Sequence, residues 1–416
     1  MLFLYSLAFR KIQHEIPVFL WCVTEPLKNE SIEGLTTPKI EAKFIGRPFL
    51  ENVHFYSVHN MSGSTFSKSD IQLLSDKEIW KFQEIFPKIT RDVLDKVRLA
   101  DPSSFTERHY AQLWVNNVPQ GRKIRAEMLI LAYKFFEHDL TEEKIRLSYI
   151  LGWIVEIFHS ADLVGFDRKN KLTALIGPCS CSCGKAVVDV STVIRMNFLK
   201  NAAFILTKQY FGDKIYYSAL MGLLHEANLK TSLGKRMDMM TQTTNENYSS
   251  CLSLNFYETV VNNKSYGSVY LPIALALVMG GIFNQNNSMA INNLAVKVGM
   301  YLEAQADFLD DFVSEETQGR TGDSIAHGKY TWSLVTAYER GNNLHRKMLL
   351  ENYGHSETLK ICVVKTLFER LGIKSLYWTY EYETRQKIRN EIENLPEEIP
   401  KPLFQILMAS IYARWQ

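Results

Sequence analysis

Carboxylate side chains recur at helical spacing within residues 301–312. Four of them are related by steps of three or four along the chain: Glu303, Asp307, Asp310 and Asp311. On a helix, residues at such steps share one face, so the carboxylates lie close together and repel one another. A hard divalent cation such as Mg²⁺ relieves that repulsion, because it takes oxygen ligands and bridges them to phosphate. The pattern therefore indicates either metal-assisted phosphate chemistry or a solvated acidic stripe.

Basic residues beside glycines supply candidate ligands for phosphate. Arg320 lies in the turn Gly-Arg-Thr-Gly at 319–322, soon after the carboxylate segment. Further upstream, residues 120–125 carry three cations in four positions: Arg122, Lys123 and Arg125. Cationic side chains make charge-assisted hydrogen bonds to phosphate oxygens. Each cluster alone is equally consistent with a solvated loop, but their order along the chain favours a diphosphate site.

Helices must position these side chains, because apolar residues recur at steps of three and four from about Asp70 onward. The periodicity is clear in residues 147–158, 193–211, 294–312 and 359–371, whereas convincing β alternation is hard to find. We therefore predict one all-α domain of ten or more helices over residues 71–416. The most apolar stretch, 267–283, is interrupted by Pro272, Gly280 and Gly281. These breaks predict a buried central helix and no stable membrane insertion.

The first 70 residues are predicted to form an N-terminal extension that is either poorly ordered or a targeting segment. Charged residues interrupt its apolar part before it reaches the roughly 20 residues that a membrane span needs. Arg10 and Lys11 beside apolar residues are typical of a mitochondrial presequence, whereas Glu15 is not. We expect a cytoplasmic protein, with a mitochondrial location as the alternative.

Charge and composition exclude several classes of protein. The chain has 47 Lys and Arg against 45 Asp and Glu, a net charge of +2. This balance gives no electrostatic reason to expect a nucleic-acid partner. With 46% hydrophobic and 22% charged residues, the 416-residue chain can bury a large core, which excludes wholesale disorder. Six cysteines in a chain of this length do not form a disulfide framework.

Several sequence motifs extend the pattern of acidic and basic residues. They are Tyr-Leu-Pro-Ile-Ala at 270–274, Gln-Ala-Asp-Phe-Leu-Asp at 305–310, Gly-Arg-Thr-Gly at 319–322, and Lys329 with Trp332. In order and spacing they resemble the farnesyl diphosphate synthase family of trans-isoprenyl diphosphate synthases, from about residue 80 to the end. The resemblance implies an isoprenoid synthase fold, a single large helical bundle around a central prenyl-binding cavity. It also implies Mg²⁺ as the cofactor, a prenyl diphosphate as the substrate, and a homodimer.

Candidate roles for individual side chains follow from this resemblance and from the carboxylate spacing. The predicted metal ligands are Asp162, Asp307, Asp310 and Asp311. The predicted substrate-binding residues are Arg122, Arg125, Lys171, Arg320, Lys329 and Tyr301. The predicted catalytic residues are Lys264, Ser265 and Lys235. Lys235 stands where the family has Gln, and we expect it to supply positive charge where a metal has been lost. For the ring of Tyr301, core packing is the alternative role.

Departures from the family pattern bear on the reaction. The first Asp-rich motif keeps only Asp162 of three carboxylates, and the second begins with Ala306. Together with the loss of basic residues that hold the acceptor's phosphate, this favours a terpene synthase, which ionises a prenyl diphosphate without condensing it. The retained Arg122 and Arg125 favour the alternative, a trans-prenyltransferase that condenses an allylic diphosphate with isopentenyl diphosphate. A third hypothesis, a non-catalytic homologue or regulatory subunit, is favoured by the depleted first motif.

Overall fold

The computed structural model describes residues 73–166, 190–240, 251–313 and 324–412, and within these ranges every regular element is a helix. In chain order the elements are α1 (Asp76–Glu84), α2 (Phe86–Ala100), α3 (Ser104–Asn117), α4 (Ile124–Phe136), α5 (Glu142–Phe166), α6 (Val190–Phe211), α7 (Tyr217–Met240), α8 (Leu254–Ser265), a π-helical turn (Tyr266–Tyr270), α9 (Leu271–Met279), α10 (Gln285–Phe312), α11 (Trp332–Arg340), α12 (Asn343–Asn352), α13 (Thr358–Arg370), α14 (Ile373–Glu393) and α15 (Lys401–Tyr412). The predicted all-α fold class is confirmed.

Side-chain caps set where the helices that carry site residues begin. At the start of α10, the side chain of Asn284 accepts a hydrogen bond from the backbone N–H of Asn287. At the start of α11, the side chain of Thr331 accepts a hydrogen bond from the backbone N–H of Leu334 in the same way. Each cap satisfies an N–H group that has no partner within its own helix. The first turns of α10 and α11 are therefore specified locally by the sequence.

The short helix α9 forms the centre of the core. All nine of its residues are buried, and it packs against α4, α7 and the π-helical turn. The prediction that residues 267–283 are buried and helical therefore holds for the stretch that α9 occupies. Instead of one continuous helix, however, this stretch begins in the π-helical turn and ends where Gly280 terminates α9.

The described helices belong to one compact unit, Gln72–Tyr412. The predicted domain boundaries of 71 and 416 stay a prediction, and the predicted extension of residues 1–70 lies outside the described residues. Among the residues described, one segment, Glu142–Val164 of α5, is long and apolar enough to cross a membrane. Because 78% of its most apolar window is buried inside the protein, it has the character of a core helix.

Candidate active site

A cavity of about 350 Å³ lies among α5, α7, α8 and α10, next to the π-helical turn. Part of its wall is apolar, including Val155, Phe158 and Leu271. The charged side chains in its wall are three cations and three carboxylates: Arg125, Lys235, Lys264, Asp162, Asp238 and Glu303. A cavity with an apolar wall and a few converging charges is typical of a site for a small amphiphilic ligand.

Asp162, the remaining carboxylate of the first Asp-rich motif, is held by two lysines. The Nζ atom of Lys235 on α7 lies 3.1 Å from its Oδ1 atom, and the Nζ atom of Lys200 on α6 lies 3.6 Å from the same oxygen. The Lys235 ammonium also donates a 3.3 Å hydrogen bond to the backbone carbonyl of Asp162. Burial lowers the pKa of Lys235, and the neighbouring Asp162 opposes that shift. Two positive charges therefore already surround this carboxylate.

Lys264 joins two further carboxylates of the cavity. Its Nζ atom lies 3.3 Å from Oδ2 of Asp238 on α7 and 3.5 Å from Oε2 of Glu303 on α10. Burial alone would lower the pKa of Lys264, but Glu303 and Asp238 outweigh it and raise the pKa above its ordinary value. Lys264 is thus firmly protonated and connects α7, α8 and α10 through its ion pairs.

Asp307 lies at the junction of α8, α10 and α11. Its Oδ2 atom accepts a 2.7 Å hydrogen bond from the hydroxyl of Tyr257 and a 2.9 Å bond from the backbone N–H of Trp332. Trp332 is the first residue of α11, where the positive end of the helix dipole favours an anion. Burial, together with the charge of Glu303, nevertheless raises the pKa of Asp307 to about 7.

Asp310 and Asp311 are adjacent in sequence but have different surroundings. Oδ2 of Asp310 accepts a 2.6 Å bond from Nζ of the half-exposed Lys329 and a 2.8 Å bond from the hydroxyl of Ser324. Asp311 is instead buried. Its burial raises the pKa to about 8, although the hydroxyl of Ser333 opposes the shift. Asp311 is therefore buried where Asp310 is partly accessible, and its role as a metal ligand stays a prediction.

Arg125 reaches the cavity from the start of α4, where a buried glutamate holds the backbone. Oε1 of Glu156 on α5 accepts the backbone N–H groups of Arg125 and Ala126, each at 3.1 Å. The guanidinium of Arg125 donates a 3.1 Å bond to the hydroxyl of Ser268 in the π-helical turn. Arg122, by contrast, is half exposed and lies 3.7 Å from the carboxylate of Glu127.

The structure brings some of the predicted site residues together and separates others. Four of them line the cavity: Arg125, Asp162, Lys235 and Lys264. Three more, Asp307, Asp310 and Lys329, interact around the C-terminal half of α10 and the start of α11. Lys171 and Arg320 lie outside the described residues.

Tyr301 and Ser265 take packing positions away from the cavity wall. The ring of Tyr301 is buried, and its hydroxyl donates a 2.9 Å bond to Glu381 and accepts a 3.0 Å bond from Arg385. The structure therefore supports the core-packing alternative for this ring. Ser265 is buried beside Gly299, where a Cβ atom at Gly299 would come within 2.6 Å of the Ser265 Cβ atom. Close packing of α8 on α10 occupies this serine.

Several residues of the site lack a predicted role. Asp238 completes a Gly-Lys-x-x-Asp element at 234–238, so the sequence could have identified it as a site residue. No sequence motif marks Lys200. His159 also lines the cavity. Burial, assisted by the positive charge of Arg125, lowers its pKa to about 3, so its imidazole is neutral at physiological pH. Sequence spacing cannot reveal Lys200 as a neighbour of Asp162, because the two residues lie on different helices.

The carboxylates of the second Asp-rich motif fit Mg²⁺, whereas Asp162 of the first motif does not. Among the described residues, no three His, Cys, Asp or Glu side chains form a metal-binding group. Mg²⁺ is, however, usually held by one or two carboxylates with phosphate oxygens and water completing the shell. Asp307 and Asp310, one turn apart on the same helix, can supply such a pair of carboxylates. Asp162 does not fit, because it is the only carboxylate left in its motif and the two ammonium groups within 4 Å of its Oδ1 atom repel a divalent cation.

Comparison with solved structures gives the class of fold. T. brucei farnesyl pyrophosphate synthase superposes with a TM-score of 0.70 at 18% identity, covering 81% of this chain and 99% of that one. A complex of the same enzyme with a benzoindole dicarboxylic acid gives a TM-score of 0.71. The protein therefore has the all-α isoprenoid synthase fold.

Comparison of sequences gives the family. The Polyprenyl synthetase family matches residues 180–371. Farnesyl pyrophosphate synthase of Murgantia histrionica is 31% identical over 339 residues, which span 80% of this chain and 82% of the relative. Farnesyl pyrophosphate synthase 1, mitochondrial, of Arabidopsis thaliana is 32% identical over 77% of this chain and 85% of its own length. The chain belongs to the farnesyl pyrophosphate synthase family of polyprenyl synthetases.

Proposed function

We propose that the protein is a trans-prenyltransferase that condenses an allylic prenyl diphosphate with isopentenyl diphosphate. The observation that carries this proposal is the position of Arg125. Its guanidinium lies in the wall of the cavity, fixed by Ser268, while Glu156 holds its backbone. A cation held in this way is pre-organised for a diphosphate. Relatives named farnesyl pyrophosphate synthase support the same reaction over the terpene synthase that the sequence motifs favour.

In the proposed reaction, the residues of the cavity divide the work between the two substrates. Arg125 binds the diphosphate of the acceptor, and Lys264 with Lys235 binds the diphosphate of the allylic substrate. The C1–O bond of that substrate breaks, and pyrophosphate leaves with the electron pair. The double bond of the acceptor then supplies the electrons of the new C–C bond, and the acceptor loses a proton to the departed pyrophosphate. Lysine ammonium groups that face the leaving oxygen stabilise its developing charge.

The apolar part of the wall is suited to the prenyl chain. Val155, Phe158 and Leu271 line the cavity and offer an apolar surface to that chain. The ring of Phe158 also offers a π face to positive charge on the allyl group. At the second Asp-rich motif, Asp307 and Asp310 would hold Mg²⁺ with phosphate oxygens, and the ion would supply further stabilisation of the leaving pyrophosphate.

A terpene synthase is the second candidate, because a specific observation favours it. Only one of the two predicted acceptor arginines, Arg125, lines the cavity, whereas Arg122 is half exposed beside Glu127. An enzyme that no longer holds the acceptor would ionise the allylic diphosphate and release an alkene or an alcohol. The family relationship favours condensation, so we rank this candidate second.

Product analysis of the purified full-length chain distinguishes these functions. The protein is incubated with Mg²⁺ and geranyl, farnesyl or geranylgeranyl diphosphate, each with and without isopentenyl diphosphate. Elongated products that require the acceptor support the proposal, whereas hydrocarbon or alcohol formed without it would establish the terpene synthase instead. Absence of turnover in every combination contradicts both and supports a non-catalytic homologue.

Kinetics of an Arg125 variant test the role of the cation directly. Arg125→Met removes its charge-assisted hydrogen bonds, so we expect KM for isopentenyl diphosphate to rise about tenfold or more. KM for the allylic substrate should change much less. Arg340→Met is the matched control, because Arg340 is exposed at the end of α11. An unchanged KM for the acceptor in Arg125→Met contradicts the assignment.

We also propose a homodimer, on the family resemblance alone, and a cytoplasmic location, as the sequence predicts. The name of the Arabidopsis relative makes a mitochondrial location the alternative. Light scattering on the purified chain measures the oligomeric state, and a monomer at micromolar concentration would contradict the dimer. Imaging of a tagged protein with and without residues 1–70 distinguishes the two compartments.

A further inference from the structure

Four cationic side chains lie in or next to the cavity wall, and we name them the ammonium cluster after the three lysines among them: Lys200, Lys235, Lys264 and Arg125. Its lysines contact three carboxylates, with Asp162 between Lys200 and Lys235, and Asp238 and Glu303 beside Lys264. Arg125 completes the cluster from the start of α4. These groups come from α4, α6, α7 and α8, so the helix packing holds the cations in place without any added ligand.

Charge balance decides which kind of ligand this arrangement attracts. The lining residues contribute three cations and three carboxylates, and Lys200 adds a fourth cation beside Asp162. The neutral imidazole of His159 adds no charge. The cavity is therefore neutral to slightly positive before any metal ion binds. An anion that enters the cavity near Asp162 meets ammonium groups, which attract it. A cluster of unpaired carboxylates at the same place would repel it.

We infer that the ammonium cluster binds a diphosphate group without a metal ion, with Lys235 and Lys200 supplying the positive charge at the first Asp-rich motif. This inference rests on the proposed function, because it assigns the same cavity to the same class of ligand. It adds that lysines, and not Mg²⁺, hold the diphosphate near Asp162, since Asp162 does not fit Mg²⁺ while two ammonium groups surround it.

Asp162 acts as an internal counter-ion in the ligand-free protein. Partly buried ammonium groups are unfavourable without a partner, and the carboxylate supplies one. A diphosphate oxygen takes the place of that carboxylate as the partner of Lys235 when the ligand binds. Asp162 therefore competes with the ligand, and its removal strengthens diphosphate binding in the absence of metal. If Asp162 were instead a metal ligand, its removal would weaken diphosphate binding when Mg²⁺ is present.

Calorimetric titration of the full chain with inorganic pyrophosphate in excess EDTA tests the inference. We expect the wild type to bind, Lys235→Gln to bind about tenfold or more weakly, and Asp162→Asn to bind several-fold more tightly. Lys235→Arg keeps the charge and should retain most of the affinity. Lys208→Gln is the matched control, since Lys208 is an exposed lysine near the end of α6, and its affinity should equal that of the wild type.

Other outcomes overturn the inference. It fails when wild type shows no pyrophosphate binding in EDTA, when Lys235→Gln binds as tightly as wild type, or when Asp162→Asn binds more weakly. Farnesyl diphosphate in EDTA is the second probe, and binding of this probe without binding of pyrophosphate assigns the affinity to the prenyl chain and refutes the cluster. Circular dichroism establishes that each variant is folded. Turnover with Mg²⁺, measured separately, reports on the proposed function alone.

Discussion

The buried carboxylate of Glu156 offers a test of how α4 presents Arg125 to the cavity. Glu156 is 1% exposed, and its Oε1 atom accepts the backbone N–H groups of Arg125 and Ala126. Those two amides belong to the first turn of α4, where no carbonyl of the helix is available to them. Glu156→Ala leaves both donors without this acceptor, whereas Glu156→Gln keeps an oxygen in the same place.

The structure gives the size of each effect. A buried donor that loses its partner costs about 1–3 kcal/mol, so two donors cost about 2–6 kcal/mol in Glu156→Ala. Glu156→Gln should cost about 1 kcal/mol or less at neutral pH. Because α4 loses its anchor, KM for isopentenyl diphosphate should also rise about tenfold in the alanine variant and much less in the glutamine variant.

The pH dependence adds an independent signature. Burial raises the pKa of Glu156 above its ordinary 4.5, against the opposing effect of Arg125. The native state therefore keeps the proton to a higher pH than the unfolded state does. The contribution of this group to stability is present below pH 4.5 and is lost as pH rises through the native pKa. Glu156→Gln lacks this loss, so its stability relative to wild type should improve with rising pH.

Urea unfolding of wild type and both variants between pH 4.5 and 8 measures these differences. A cost below about 1 kcal/mol in Glu156→Ala would refute the anchoring role, because it would mean that other groups satisfy the two amides. Equal pH slopes in wild type and Glu156→Gln would show that the carboxyl group does not titrate differently in the native state. Loss of stability with unchanged kinetics would separate a structural role from the positioning of Arg125.

Three further predictions concern α10 and its neighbours. Asp311→Asn should be more stable than wild type by roughly 2–5 kcal/mol at pH 9 and similar near pH 4, because the wild-type pKa of about 8 makes stability fall as pH rises from about 4 to 8. Urea unfolding at both pH values checks this, and equal differences would contradict it. Tyr257→Phe removes a hydrogen bond that stabilises the ionised carboxylate of Asp307, so the pKa of Asp307 should rise. The acidic limb of the pH–rate profile should therefore move up by about one pH unit. An unmoved limb would argue against Asp307 as its origin. Gly299→Ala should lower the free energy of unfolding by about 1–3 kcal/mol, because its Cβ atom crowds Ser265. Ser265→Gly should relieve that cost in the double variant, as a double-mutant cycle of thermal unfolding would measure.

Much of the fold is predictable from the sequence, because burial on a helix imposes a period of 3.6 residues. The periodic segments 193–211 and 359–371 correspond to α6 and α13 to within a few residues. The π-helical turn is not predictable in this way, since its apolar pattern resembles that of the α-helix that follows. Its extra residue depends on how α8 and α9 pack against neighbouring helices.

The site is less predictable, because its geometry depends on contacts between distant helices. Lys235 and Asp162 lie 73 positions apart, so no local spacing reveals their ion pair. Within α10 the phase of the helix carries more information. Tyr301, Gln305 and Phe308 are related by steps of four and three and are all buried. That buried face, away from Glu303 in the cavity wall, is a signal that Tyr301 packs in the core.

The π-helical turn between α8 and α9 also affects how this protein can change over evolution. Gly267 and Ser268 of the turn line the cavity, whereas Lys264 precedes it and Leu271 follows it. A π turn holds one residue more than an α-helix of the same length, so deletion of one residue there would leave the flanking helices in register. The cavity wall can therefore be reshaped by a change in chain length alone. Such a change alters ligand preference while Lys264 and the buried helix keep their places.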